Sequence, residues 1–170
     1  QECAVGLVRI RLAGDRAAFE APPMHAAPVA EALLADVLAA IGLPRGRLRA
    51  AAWLDSGPRW LALLVDEAAA VLALAPDHAA LRPLAKVGVV GPYPPGAPCA
   101  FEVRAFAAAT GIPEDPVTGS LNASLGQWLI PAGHAPAAYV AAQGTALGRA
   151  GRVAVTTRDG ATWIGGRTRK

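Results

Sequence analysis

Metal-ligand spacing, nucleotide-binding glycine patterns and long apolar runs are all missing from this chain. Its two cysteines, Cys3 and Cys99, stand far apart, so the sequence contains neither a zinc-type ligand set nor a paired redox motif. His25, His78 and His134 each lack a second ligand at useful spacing, which argues further against a metal. No Gly-x-Gly-x-x-Gly follows a strand, so nicotinamide and flavin are not indicated and no cofactor is expected. Apolar runs such as 30–41 and 60–65 are too short, or too interrupted by Asp and Glu, to span a membrane. The first residues lack the basic and apolar regions of a secretory leader. Reduced thiols and a cytoplasmic location are the expectation.

Charge is also sparse, at 17% of residues, with a net value of +3 and an isoelectric point near 9.3. The basic residues are scattered arginines, clustered only at 45–49 and 167–170 and without aromatics among them, so no nucleic-acid partner is expected. The 54% hydrophobic share excludes a disordered chain, although much of it is alanine and large core side chains are fewer than that figure suggests. A chain of 170 residues can bury a real core.

Two alternating runs, 5–12 and 16–21, flank Ala13-Gly14-Asp15 and predict a hairpin. Residues 28–41 carry Val29, Leu33, Leu34, Val37, Leu38 and Ile41 at helical spacing, closed by Gly42. A second hairpin is expected over 49–55 and 59–65 across Ser56-Gly57-Pro58. Asp77 can cap a short helix over 78–85. Strands are expected at 87–90 and 99–106, separated by a Pro- and Gly-rich stretch, and again at 137–142, 152–157 and 162–164. Strands and helices in this order argue against a doubly wound parallel fold and for an α+β domain: a largely antiparallel sheet around one apolar helix.

That helix begins in the chemically richest stretch of the chain, residues 111–124. Pro113 and Pro116 stiffen the approach, and Thr118-Gly119-Ser120 opens an apolar run containing Leu121, Leu125 and Leu129. A helix start aims free N–H groups and the positive end of its dipole at one point, where a carboxylate or phosphate can sit. The Thr118 and Ser120 hydroxyls add donors, and Gly119 allows close approach. Asp115 stands a few residues upstream as a proton donor or acceptor. The same residues also suit plain capping, with Asp115 at the N-cap and Pro116 at the first helical position, or with Thr118 or Ser120 as the cap. Capping and spacing alone leave both alternatives open.

Glu114-Asp115-Pro116-Val117-Thr118-Gly119-Ser120, preceded by Arg104-Ala-Phe106 and followed by Gln143-Gly144 and Arg149, closely resembles the second half of the phenazine-biosynthesis PhzF-like isomerases. The resemblance implies half of a diaminopimelate-epimerase-like fold, a curled, mostly antiparallel mixed sheet or barrel around a central helix. Residues 1–170 would form this single unit, and the hairpin within 1–21 would lie at the junction with a first half. It further implies cofactor-independent proton transfer on a small carboxylate-bearing metabolite. Asp115 and Ser120 would be catalytic, and Thr118, Gly119, Ser120, Asn122, Gly144 and Gly166 would contact substrate. Turn geometry requiring positive φ is the plainer account of Gly144 and Gly166.

A related class of epimerases with this fold uses paired thiols. Neither Cys3, near the chain end, nor Cys99, at a strand start, has the helix terminus or cationic neighbours that lower a thiol pKa, and both are expected to be structural. The chain departs from the family at Ala108 and at Leu121-Asn122. Asn122 can take the polar role of the histidine found there but cannot titrate near neutral pH. The family's first-half glutamate, its principal acid/base, has no counterpart here. The expectation is therefore a chain inactive by itself, completed by a first-half polypeptide or covered as a homodimer. The alternative is a catalytically silent domain that binds a small anion or a partner subunit.

Overall fold

The computed structural model describes residues 2–3 and 6–167, with side chains from residue 8. Its strands are β1 (Glu2–Cys3), β2 (Gly6–Leu7), β3 (Ile10–Ala13), β4 (Arg16–Glu20), β5 (His25–Ala27), β6 (Leu48–Asp55), β7 (Arg59–Val65), β8 (Val87–Pro92), β9 (Phe101–Ala107), β10 (Ile112–Asp115), β11 (Ala138–Gln143), β12 (Gly151–Arg158) and β13 (Ala161–Arg167). Four helices interrupt them: α1 (Glu31–Ile41), α2 (Ala68–Leu72), α3 (His78–Leu81) and α4 (Gly119–Leu129). β1 and β2 pair with each other, and the remaining strands form one large sheet in the order β3-β4-β13-β12-β11-β9-β8-β7-β6-β5, with β10 added to β9. Among the described strands only β7–β8 and β9–β11 run parallel, so the sheet is mixed and mostly antiparallel as expected. The path is open: β3 and β5 at its ends pair with β4 and β6 and not with each other, so the barrel alternative is not the arrangement seen.

Both faces of the sheet are covered. Along β7, Trp60, Ala62 and Leu64 join the core under α4, while Leu61, Leu63 and Val65 join a second core under α1, α2 and α3. Successive strand residues point to opposite faces, so burial on both sides reads as a continuous apolar run instead of an alternation. α1 buries Leu34, Val37, Leu38, Ala40 and Ile41 and ends at Gly42, whose φ of 69° no β-carbon residue adopts readily. α4 is the more enclosed helix: Leu121 through Gly126 and Leu129 are all buried, against β12 and β13 on one side and β6 on the other.

Several expectations change. Val5 of the expected first hairpin lies outside the described residues, and the hairpin seen joins β3 to β4. The helix capped by Asp77, whose carboxylate accepts from the Ala79 and Ala80 N–H groups, ends at Leu81 instead of 85. β5, in which His25 pairs with Asp55, is not among the expected strands. α2 and β10 were not anticipated. Gly165 and Gly166 lie inside β13, paired with Ala18 and Ala17 in extended backbone, and form no turn.

Gly88 marks the tightest approach of sheet to helix. A β-carbon there would sit 2.3 Å from Leu121 Cδ1, and Leu121 is fully buried with no room to swing away. Gly88→Ala is therefore expected to destabilise the fold by about 1–3 kcal/mol, the usual cost of overpacking. Chemical denaturation checks this, and a change under about 0.5 kcal/mol would mean that α4 can shift off β8.

Candidate functional site at the start of the buried helix

β9 explains how residues far apart in sequence reach the start of α4. One of its edges pairs along its length with β8. The other edge is shared: β11 runs parallel to its first part, ending with Gln143 opposite Val103, and β10 runs antiparallel to its second part, ending with Asp115 opposite Ala105. The two strands meet end to end on the same edge. Pro113, which cannot donate to a ladder, is tolerated because β10 pairs on one side only.

Adjacent acids in β10 go to different faces. Glu114 turns toward the α1–α3 face and makes a bidentate ion pair with Arg104, at 3.0 Å to Nε and 2.7 Å to Nη2. Both side chains are buried, at 7% and 6% exposure, and Arg104 also donates to the Val71 and Leu74 carbonyls at the end of α2. The guanidinium stacks on Phe106, 4.9 Å from its centroid. Arg104, Phe106 and Glu114 thus form one buried charge cluster that fastens β10.

Asp115, half-buried, turns the other way. Its Oδ2 accepts from the Thr118 hydroxyl at 2.7 Å. Gln143, fully buried, then ties the loop together with four bonds. Its Nε2 donates to the Asp115 carbonyl at 3.0 Å and to Thr118 Oγ1 at 2.9 Å, and its Oε1 accepts from the Thr118 N–H at 3.0 Å and from Asn122 Nδ2 at 2.8 Å. Asn122 Nδ2 also donates to the Thr118 carbonyl at 2.9 Å, while its Oδ1 is buried without a partner among the described residues. Sequence reasoning missed the part played by Gln143. The signal was its place beside Gly144 in the resemblance, which was read as a turn.

Of the three candidate caps, Thr118 is the N-cap residue, although no side chain makes a capping hydrogen bond, while Asp115 ends a strand and Ser120 lies inside the helix. The expected anion cradle is also narrower, because the Thr118 N–H is committed to Gln143. The N–H groups of Gly119 and Ser120 lie in the first turn, where a helix offers no internal acceptor. Ser120 Oγ accepts from Trp60 Nε1 at 3.3 Å, which leaves its own proton to donate. Phe19 from β4 walls the start of the helix, 3.3 Å from where a Gly119 β-carbon would stand.

Gly144 has φ 82°, and a β-carbon there would stand 2.7 Å from the Pro116 carbonyl oxygen, so this glycine lets the end of β11 press against the Asp115–Thr118 loop. Gly166 is not drawn into the network; the space beside it is closed by the Arg152 carbonyl, 3.3 Å from an added β-carbon. Thr145, next along the chain, donates to Glu102 Oε2 at 3.0 Å, which also accepts from the Tyr93 hydroxyl at 2.7 Å. Burial and then the hydrogen bond to Glu102 push the Tyr93 phenol up to about 12. Cys99 is buried and unpaired. Hollows of about 390 Å³ beside Arg11 and Trp163 and about 400 Å³ beside α2 include neither Asp115 nor Ser120. Among the described residues no three His, Cys, Asp or Glu side chains cluster as a metal site, and no helix is long and apolar enough to cross a membrane.

With this geometry in place, the family model described as phenazine biosynthesis-like protein matches residues 1–168. The chain belongs to the PhzC-PhzF family. It is 28% identical over 165 residues to antisense-enhancing sequence 1 of Schizosaccharomyces pombe, a match covering 88% of this chain and 55% of that protein. It superposes on a PhzF-family phenazine biosynthesis protein of Bacillus anthracis with a TM-score of 0.76 at 16% identity, over 94% of this chain and 61% of the other. A Pseudomonas aeruginosa structure described as a predicted epimerase gives 0.70 at 22% identity, over 94% and 58%. The chain therefore spans a little over half the length of these relatives, and at such identities the structural matches speak for the fold.

The Arg104–Glu114 pair sets how firmly β10 is held. Removing one partner leaves a buried charge uncompensated, so Glu114→Ala is expected to cost about 3–5 kcal/mol. Urea titration measures it, and a loss below about 1 kcal/mol would show that Arg104 escapes to solvent.

Proposed function

We propose that this chain supplies the second-half side of a cofactor-independent isomerase or epimerase site acting on a small carboxylate-bearing metabolite. The observation that carries this reading is the Asp115 carboxylate, held at Oδ2 by Thr118 and without a partner at Oδ1 among the described residues, beside the first turn of α4. Membership of the PhzC-PhzF family and likeness to a protein described as a predicted epimerase support it. In this proposal Oδ1 removes a proton from carbon. The electron pair left behind delocalises into the substrate's own carboxyl group, whose growing negative charge is met by the Gly119 and Ser120 N–H groups and the Ser120 hydroxyl. A second group, on a segment that completes the site, returns a proton to carbon. Asn122 acts indirectly, through Gln143 and the Thr118 carbonyl, and Gly144 by admitting the loop; Gly166 has no part in the reaction.

The proposal also treats residues 1–170 as one half of a diaminopimelate-epimerase-like fold with α4 as its central helix, the hairpin within 1–21 lying at the junction, and the cytoplasm as its location. Contacts of α4 with both β13 and β6, far apart in strand order, support the central placement. A catalytically silent anion- or subunit-binding domain is the second reading, favoured by the 55–61% span of the relatives.

Solvent deuterium exchange into a carboxylate-bearing substrate tests the first reading. The 170-residue chain alone is expected to show none, and addition of a family-type first half in trans is expected to restore it. Asp115→Asn should then lower the restored exchange by about 10²–10⁴-fold, the usual contribution of a positioned acid or base. Anion binding should persist, because its donors are backbone and Ser120. Exchange by the chain alone at an enzymatic rate would refute the need for a second group, and unchanged exchange in Asp115→Asn would reduce Asp115 to a loop residue.

Ile112, Val117 and Leu147 are exposed on the segments that flank Asp115 and Gly144. Apolar groups gathered there are expected to be covered by a first-half polypeptide or a second copy of the chain. Sedimentation should show a dimer at micromolar concentration that gives way to a one-to-one complex when the first half is added; a persistent monomer would count against it.

A further inference from the structure

We infer that Gln143 is a positioning residue: its amide sets the direction of a hydrogen-bond relay, from Gln143 through Thr118 to Asp115, that leaves Asp115 Oδ1 facing the substrate. This rests on the assignment of Asp115 as the proton-transfer group.

The direction follows from which partners can only donate or only accept. A backbone N–H donates and a backbone carbonyl accepts, without exception. The Thr118 N–H therefore requires the carbonyl end of the Gln143 amide, and the Asp115 carbonyl requires its NH₂ end. These two backbone groups, one on each side of Pro116-Val117, admit a single orientation of the amide. Its Nε2 also lies 2.9 Å from Thr118 Oγ1 and has only protons to offer, so the hydroxyl oxygen accepts. A hydroxyl has one proton, and that of Thr118 is left with one acceptor, Asp115 Oδ2 at 2.7 Å. Asn122 closes the arrangement from the helix side. Its NH₂ group is fixed by the acceptor-only Thr118 carbonyl and donates to the remaining lone pair of Gln143 Oε1.

The relay thus reaches from a fully buried amide to a half-buried carboxylate without an ambiguous step. Asp115 receives one donor at Oδ2, which pins the plane of the carboxylate and leaves Oδ1 unpartnered among the described residues. A buried glutamine that served only as a staple would need the two backbone bonds, not the bond to Thr118 Oγ1. The bonds from Gln143 to Thr118 and Asn122 are buried, where each bond is stronger and a missing one costs more than in water.

Two substitutions separate positioning from stapling. Thr118→Val keeps shape and removes the hydroxyl, while Thr118→Ser keeps the hydroxyl. The first readout is the Asp115 side-chain rotamer, from Hα–Hβ couplings in the 170-residue chain. Native chain and Thr118→Ser should show one χ1 rotamer, and Thr118→Val an average of several. Gln143→Glu should release Asp115 in the same way, because the introduced carboxylate still accepts from the Thr118 N–H and Asn122 but places an acceptor in place of Nε2, which draws the single Thr118 hydroxyl proton away from Asp115. Should that variant fail to fold, Thr118→Val carries the test. The second readout is deuterium exchange after completion in trans. Thr118→Val should lower the turnover rate by about 10–100-fold with KM nearly unchanged, the size expected of a misplaced reacting group, and Thr118→Ser should recover most of it. A single Asp115 rotamer in Thr118→Val overturns the inference. So does exchange in Thr118→Val equal to that of Thr118→Ser. A loss of the rotamer in chains that show no exchange under any condition upholds the positioning and removes the proposed activity instead.

Discussion

The shared edge of β9 is the constraint on which the rest of the site depends. With β8 filling the opposite edge, one row of backbone groups has to serve both β11 and β10, and they divide it between Val103 and Ala105. Strand ends that meet in this way leave backbone groups without ladder partners, and a buried unpaired group is costly. The Gln143 side chain fills that gap, satisfying the Asp115 carbonyl and the Thr118 N–H across the junction. Gly144 lets the turn that follows lie against Pro116, where any side chain would collide.

The twofold period of a strand then gives two neighbouring acids opposite duties. Glu114, on the face covered by α1–α3, neutralises Arg104 inside a cluster that also occupies the Val71 carbonyl of α2 and the Leu74 carbonyl just beyond it. Asp115, one residue on, projects toward the start of α4 and remains half-buried. β10 is a short edge strand with a proline and a register shift, and its ladder alone would hold it weakly. The ion pair behind it supplies rigidity that a proton-transfer group needs in front. Structure and chemistry are thereby separated by the thickness of the sheet.

The same logic accounts for the hydrogen bonds that Tyr93 and Thr145 make to the buried Glu102 beyond the junction. Thr145 follows Gly144 and is anchored through Glu102 to Tyr93, on the face away from α4. The turn is therefore gripped from both sides, by Gln143 under the helix and by Glu102 on the opposite face.

Much of this architecture was legible in the chain itself. α1 with its Gly42 stop, the β6–β7 hairpin, the Asp77 cap and the apolar run of α4 follow from local periodicity and turn chemistry, which depend on neighbours a few residues away. The Glu114–Ser120 stretch with Arg104, Phe106 and Gln143 was sufficient to point to the PhzC-PhzF family. Local rules could not show β5, α2 and β10, each short and held mainly by distant partners. Nor could they show that Gly166 is extended inside β13, or that the Thr118 N–H is already taken. Which acid is buried and which is presented, and which donors at a helix start stay free, depend on side chains 10 to 28 residues away. Only the pairing of distant strands along β9 brings those within hydrogen-bonding reach, and a hydrogen bond is decided by fractions of an ångström.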